Sequence, residues 1–168
     1  MSETSAIQAV SNNLQTDYVV NTGTDQFLTF ELDGENYGVE ILRVQEIRGW
    51  DKATPIPNAP EYLCGVLNLR GDIVPIVDLR LFFDMPFNPY TNTTVVIVLR
   101  LEGESQRTVG IVVDAVSDAQ DISEDEIKPT PNLGTAVDTQ YIKGIANVGE
   151  ELLMLLDIDK LLSLQTIT

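Results

Sequence analysis

The chain contains no histidine and a single cysteine, Cys64, among its 168 residues. Without imidazole there is no Ser-His-Asp or Cys-His arrangement, no common transition-metal ligand set and no side chain that ordinarily shuttles protons near neutral pH. A lone cysteine cannot close an intrachain disulfide, and Cys64, between Leu63 and Gly65, reads as a small core residue rather than a nucleophile. Basic residues are scarce: 10 Lys and Arg stand against 26 Asp and Glu, a formal charge of −16. Such a surface repels phosphate backbones and anionic lipid, so nucleic acid is not an expected partner. No apolar run approaches the roughly 20 residues of a membrane span, and MSETSAIQAV has neither the basic nor the apolar region of a secretory signal. No membrane insertion and a cytoplasmic location are therefore expected. The GxxxxG stretch GIANVGEE has Glu150 where a phosphate-binding loop needs lysine. No cofactor and no metal are expected.

What the chain has is apolar content, 43% of residues, enough for a proper core in one domain or two small ones. Residues 1–25 are rich in Ser, Thr, Asn and Gln and are expected to form a disordered tail, the helical spacing of Ile7, Val10 and Leu14 being one weak stripe. From Gln26 the period is two: FLTFEL, the turn residues Asp33 to Asn36, then Tyr37, Val39 and Ile41 predict a hairpin. Three prolines in PIPNAP mark a loop. TTVVIVLRL and TVGIVVDAV, joined by EGESQR, predict a second hairpin, and the acidic segment Ser117 to Gln140 reads largely as loop. Helical periodicity is confined to 78–85 and 157–164, where Asp78 and Asp157 read as N-caps. Short strands with turn signals indicate a mainly β protein of barrel or sandwich type. Two carboxylate pairs, Asp72 with Asp78 and Asp114 with Asp118, are the candidates for acid–base chemistry, yet they sit at turns and strand ends with no sign of a cleft. A ligand site inside a barrel is disfavoured by the density of Val, Ile and Leu.

Shifting the chain by 79 positions lays YLCGVLNLRGDIVPIVDL on YIKGIANVGEELLMLLDI without a gap. Tyr62, Gly65, Asn68 and Asp78 meet Tyr141, Gly144, Asn147 and Asp157, and the positions between keep their apolar character. The economical reading is two similar β units, each opening with a strand pair that carries Gly38 or Gly110. In this register Arg70 faces Gly149, so the turn itself does not require arginine. The Arg-Gly-Asp triplet as an adhesion signal has no secretory segment to support it, and an idle surface arginine ranks below a binding role, because planar guanidinium groups are favoured anchors between proteins.

NYGVEILRVQEIRGW, GVLNLRGDIVPIVDLR, TVVIVLRL and TVGIVVDAVSD resemble the CheW adaptors of bacterial chemotaxis, over about Phe27 to Leu164. The resemblance implies two SH3-like five-stranded β-barrels packed on a shared hydrophobic core, with short helices and no catalytic activity. It implies a domain over 26–168 made of two intertwined subdomains, about 26–90 and 91–155, followed by a C-terminal helix over 157–165. The implied partners are the chemoreceptor signalling tip, the regulatory domain of a CheA-type histidine kinase and further copies of the adaptor in rings, at the inner face of the cytoplasmic membrane. Service to a pilus-motility or other non-flagellar pathway is the alternative. Carried over by position, receptor binding falls on Ile41, Val44, Glu46 and Arg70, and kinase binding on Leu133 and Gly65. Asn132 stands where the family often has an acidic residue. Read from residues alone, Ile41 and Val44 interrupt strict alternation, so one of them is expected exposed at a bend, while core packing is the competing reading for both. Removing residues 1–22 should leave the thermal midpoint nearly unchanged; a drop of several degrees by calorimetry would show that the segment packs.

Overall fold

The first hairpin follows from its turn: Leu32 pairs with Glu35, and Asp33 and Gly34 between them take φ of 52° and 81°, the left-handed pair that a two-residue hairpin loop needs. A computed structural model describes residues 24–102, 107–131 and 137–162. The described strands are β1 (Thr24–Leu32), β2 (Glu35–Glu40), β3 (Val44–Gly49), β4 (Leu63–Leu69), β5 (Asp72–Asp78), β6 (Val95–Leu101), β7 (Arg107–Val113), β8 (Ala115–Ser123), β9 (Ile142–Val148) and β10 (Glu151–Leu156). Short helices α1 (Leu79–Phe82) and α2 (Ile158–Leu162) follow β5 and β10. The strands form two five-stranded sheets, ordered β8-β1-β2-β10-β9 and β3-β6-β7-β5-β4. The protein is mainly β, and the two sheets are consistent with the expected SH3-like barrels.

The repeat is present in detail. In both copies a strand hairpin, β4–β5 or β9–β10, is followed by a helix whose preceding aspartate caps it. Asp78 accepts from the N–H groups of Arg80 and Leu81, and Asp157 from that of Lys160. The same aspartates donate their own N–H to the carbonyls of Tyr62 and Tyr141, both at 2.8 Å. The two sheets do not follow the expected halves 26–90 and 91–155, because each sheet takes strands from both. The β1–β2 hairpin of the first copy joins the second copy's strands, with β2 parallel to β10, and β6–β7 joins the first copy's strands, with β7 parallel to β5. The cause lies in the side chains. Val95 to Leu99 are buried without a break, so β6 must be covered on both faces. Val95, Ile97, Leu99 and Leu101 face a central core shared by the sheets, with Leu28, Phe30 and Leu32 of β1, whereas Val96 and Val98 fill the smaller interior around Val74 and Ile76. Phe27, Leu153 and Leu155 fill the matching interior of the other sheet.

Two expectations shift. Thr24 and Asp25, assigned to the tail, pair with Ser123 and Ile122, and the segment read as loop from Ser117 belongs as far as Ser123 to the strand β8. β8 is an edge strand, and an edge can be polar on its open side, which is why Asp118 and Asp121 masked it. Residues 1–23, the turn at 103–106 and positions 163–165 of the expected C-terminal helix lie outside the described residues.

Two buried arginines fasten the units. Arg80 of α1 holds Asp114, at the β7–β8 junction, with Nε and Nη2 both at 2.9 Å, and donates from Nη1 to the carbonyl of Pro86 at 2.9 Å, with Asp33 3.3 Å away. The hydrogen bonds that Arg80 donates to Asp114 push its pKa above even the usual arginine range. Asp114 also accepts the N–H of Asp33, at the tip of the other sheet's hairpin. In the second unit the charges are reversed: Asp159 of α2 takes Arg43 from the β2–β3 junction and accepts the N–H of Glu102 beyond β6. Arg43 also donates Nε to the carbonyl of Arg100 and lies 3.8 Å from Glu40, which pairs with Lys143. Truncating the buried member leaves the half-buried Asp114 without its partner, so Arg80→Ala should cost about 1–3 kcal/mol in urea unfolding. Adding Asp114→Ala should cost less than the sum of the single changes; strict additivity would show that the pair is not coupled.

Candidate functional site

The turn after β4 is where the two copies part. Leu69 pairs with Asp72, leaving Arg70 and Gly71 as the loop with φ of 55° and 92°, and Asn68 Oδ1 accepts the N–H of Gly71 at 2.9 Å. A left-handed conformation costs an arginine what it does not cost glycine, and Gly149 takes the same place in the second copy at φ 64°. The side chain gains little locally in return. Arg70 Nη2 meets Glu46 Oε1 at 2.5 Å, but with 74% of the arginine side chain exposed the pair is of the surface kind, worth about 0–1 kcal/mol. Position matters more than energy here. β3 and β4 are the outermost strands of their sheet, so Glu46 on β3 and Arg70 on the β4–β5 turn bridge the seam between strands that share no ladder. Arg48 joins at 3.4 Å from Glu46 Oε2, and its Nε is buried with no hydrogen-bond partner among the described residues.

Of the four residues expected at the receptor surface, Glu46 and Arg70 are brought together and Ile41 and Val44 are turned away. A single 3-10 turn, Ile41–Arg43, joins β2 to β3, and residues three apart on such a turn fall on one side. Ile41 and Val44 both point into the shared core at 6% and 9% exposure, so the expected exposure of one of them fails and core packing wins for both. The exposed apolar residue of the bend is Leu42, between them, at 62%. An Ile-Leu-Arg-Val run gives no periodicity that singles Leu42 out; the turn type alone decides it.

Gly65 is buried within β4, where the register to β5 shifts, at φ 140°. A Cβ there would lie 2.1 Å from the carbonyl oxygen of Thr54, which is bound to Val66 in an isolated bridge. Gly144 does the same service in the other copy, where a Cβ would come 2.5 Å from Ile127 Cγ2 beside the Lys128–Ile145 bridge. Gly65 thus admits a short strand segment onto the β4 edge. Leu133 and Asn132 lie outside the described residues.

The candidate carboxylates are committed elsewhere. Asp78 and Asp114 border a cavity of about 190 Å³ with Arg80 and Tyr90, but Asp78 caps α1 and accepts the Tyr90 hydroxyl at 2.7 Å, while Asp114 holds Arg80. Burial, then the hydrogen bond to Asp78, pushes Tyr90 above the usual phenol range, and burial raises the thiol of Cys64, 3.6 Å from the Tyr90 hydroxyl. These groups act as fixed acceptors and donors. Asp72 is exposed at the Arg70 turn, and Asp118 lies on the edge strand β8. Among the described residues no group of three or more His, Cys, Asp or Glu could hold a metal ion, and no helix is long and apolar enough to cross a membrane.

A family model described as CheW-like domain matches residues 26–166. A chemotaxis protein CheW of Klebsiella aerogenes is 49% identical over 138 residues, 82% of this chain and 81% of that protein. One from Bacillus subtilis is 31% identical, over 85% of this chain and 89% of the relative, and protein FrzA of Myxococcus xanthus is 28% identical, over 82% and 84%. Among solved structures, the scaffolding protein TtCheW from Thermoanaerobacter tengcongensis superposes with a TM-score of 0.77 at 29% identity, covering 85% of this chain and 95% of that one.

Since a Cβ on Gly65 meets backbone at a strained φ, Gly65→Ala should lose about 2–4 kcal/mol in denaturant unfolding. Gly49→Ala, with open space around its Cβ, is the control and should stay within about 0.5 kcal/mol. Equal midpoints for the two variants would contradict the packing of the 53–54 segment.

Proposed function

The chain belongs to the CheW-like family, and from that premise we propose that it is a non-catalytic adaptor coupling chemoreceptors to a CheA-type histidine kinase in cytoplasmic arrays at the membrane. The family is a scaffold family, and the observation that carries the finer reading is Arg70: an exposed arginine held in a left-handed turn that the sister copy makes with glycine. A residue that costs conformational energy and returns almost no stability fits a partner's need better than the fold's. The receptor surface then runs from Leu42 along the outermost strand β3 through Glu46 and Arg48 to Arg70. Leu42 supplies the apolar contact first assigned to Ile41 and Val44, whose part is to hold the bend from beneath. The kinase meets other faces: Leu133 is the proposed apolar anchor, and Gly65 contributes only by shaping the edge of β4.

Service to a second, non-flagellar chemosensory pathway is the alternative, favoured by the relative named FrzA. Affinity capture with each receptor signalling fragment and each CheA-type regulatory domain of the host separates the two. The adaptor reading requires a ternary complex and receptor-dependent stimulation of the kinase, and a chain that binds neither fragment overturns it. Within that assay Leu133→Ser should weaken kinase binding by roughly 2 kcal/mol or more and leave the unfolding midpoint in place. Normal kinase binding with earlier unfolding would make Leu133 a core residue.

A further inference from the structure

The two copies differ most where Arg70 stands, and the second copy has a vacancy there. Thr29 pairs with Gly38, and Val98 pairs with Gly110, so superposing the hairpins β1–β2 and β6–β7 on these glycines brings Thr29 onto Val98. Glu46 lies opposite Val98, and Asp118 exchanges hydrogen bonds with Thr29 at 2.9 and 3.0 Å, so Asp118 occupies the place of Glu46. Gln120, opposite Phe27, occupies that of Arg48, opposite Val96. The 79-residue repeat adds Val148 for Leu69, Gly149 for Arg70, Glu151 for Asp72 and Leu153 for Val74. In the first barrel the Arg70 guanidinium crosses this seam. In the second, glycine leaves it open, and a cavity of about 100 Å³ lies there, bordered by Asp118, Gln120, Glu151, Asn36, Val148 and Leu153.

We propose that this seam is a receptor for a guanidinium group, filled by an arginine side chain of a partner protein that takes the place Arg70 takes in the other barrel. The lining supplies what such a group needs. Asp118 has an oxygen bound to the Ala119 N–H, Glu151 accepts from Asn36 Nδ2 at 2.7 Å, and the two carboxylates carry no cationic partner among the described residues. Apolar walls from Val148 and Leu153 suit the faces of a planar cation. No lysine or arginine of this chain borders the cavity, and residues 1–23, 103–106, 132–136 and 163–168 contain neither, so an arginine has to come from another molecule. The chain's strong negative charge favours its approach.

The chain alone tests the chemistry, independently of the adaptor reading. N-acetyl-arginine amide, titrated into labelled protein and followed by amide chemical shifts, should give saturable changes centred on Asp118, Gln120 and Glu151. N-acetyl-citrulline amide, its neutral counterpart, should give none. Asp118→Asn with Glu151→Gln should weaken the probe by about tenfold or more. Gly149→Arg, at a φ of 64° close to the 55° that Arg70 adopts, should fill the seam and abolish binding. Equal shifts with the citrulline probe, shifts elsewhere, or undiminished binding by Gly149→Arg overturn the proposal. With partner fragments, Gly149→Arg should weaken one complex at least tenfold while folding normally; unchanged affinity for both receptor fragment and kinase regulatory domain overturns the assignment to a partner's arginine.

Discussion

The exchange of hairpins between the two copies is the constraint on which the rest of the structure depends. β6–β7 is apolar on both faces and lies between the small interior of one barrel and the core shared by both, while β1–β2 turns Leu28, Phe30, Leu32, Tyr37 and Val39 to the shared core and Phe27 to the interior of the other barrel. Because each hairpin completes the other copy's sheet through a parallel pair, neither copy can bury its own surface without the other. The clamps Arg80–Asp114 and Arg43–Asp159 sit where each exchanged hairpin leaves its sheet, and each aspartate also takes an N–H from the opposite hairpin. The relative placement of the barrels is thereby fixed. That fixed placement suits the proposed adaptor role, in which receptor and kinase would meet different faces.

Comparing the copies separates fold from function. Gly65 and Gly144, Asp78 and Asp157, and the backbone bonds of Tyr62 and Tyr141 hold in both, and each has a packing or capping reason. Arg80 and Asp159 differ, yet their partners differ with them, so the contact is kept with its charges exchanged. Arg70 and Gly149 differ without compensation: one seam is bridged and the other is open. A difference that the fold does not answer points outward, to what binds there.

Much of this was legible in the sequence. Turn residues located the hairpins, and the gapless repeat located both capping aspartates and the oddity of Arg70. The swap was not legible, because pairing partners are set by which strands need two apolar covers, and local patterns do not name the cover. β8 was hidden by the acidity that an edge strand tolerates, and the burial of Val44 by a 3-10 turn that shifts the phase of the period-two pattern, leaving Leu42 as the exposed apolar residue of the bend. The buried arginines left one trace, a charge reversal at positions 80 and 159 of the repeat, which has meaning only once Asp114 and Arg43 are known to lie opposite.

The claim at the centre, that the fold does not use Arg70 and a receptor does, is tested most directly by giving the first copy the residue of the second. For Arg70→Gly, with Arg70→Lys beside it, the unfolding midpoint, the affinity for a receptor signalling fragment and the affinity for the kinase regulatory domain are measured on the same purified proteins. Arg70→Gly should keep or slightly raise stability and keep kinase binding, while losing about 1–3 kcal/mol of receptor affinity, with lysine restoring only part of it. A large fall in stability, with both affinities falling in proportion, would show Arg70 to be a structural residue of the first barrel and contradict the account.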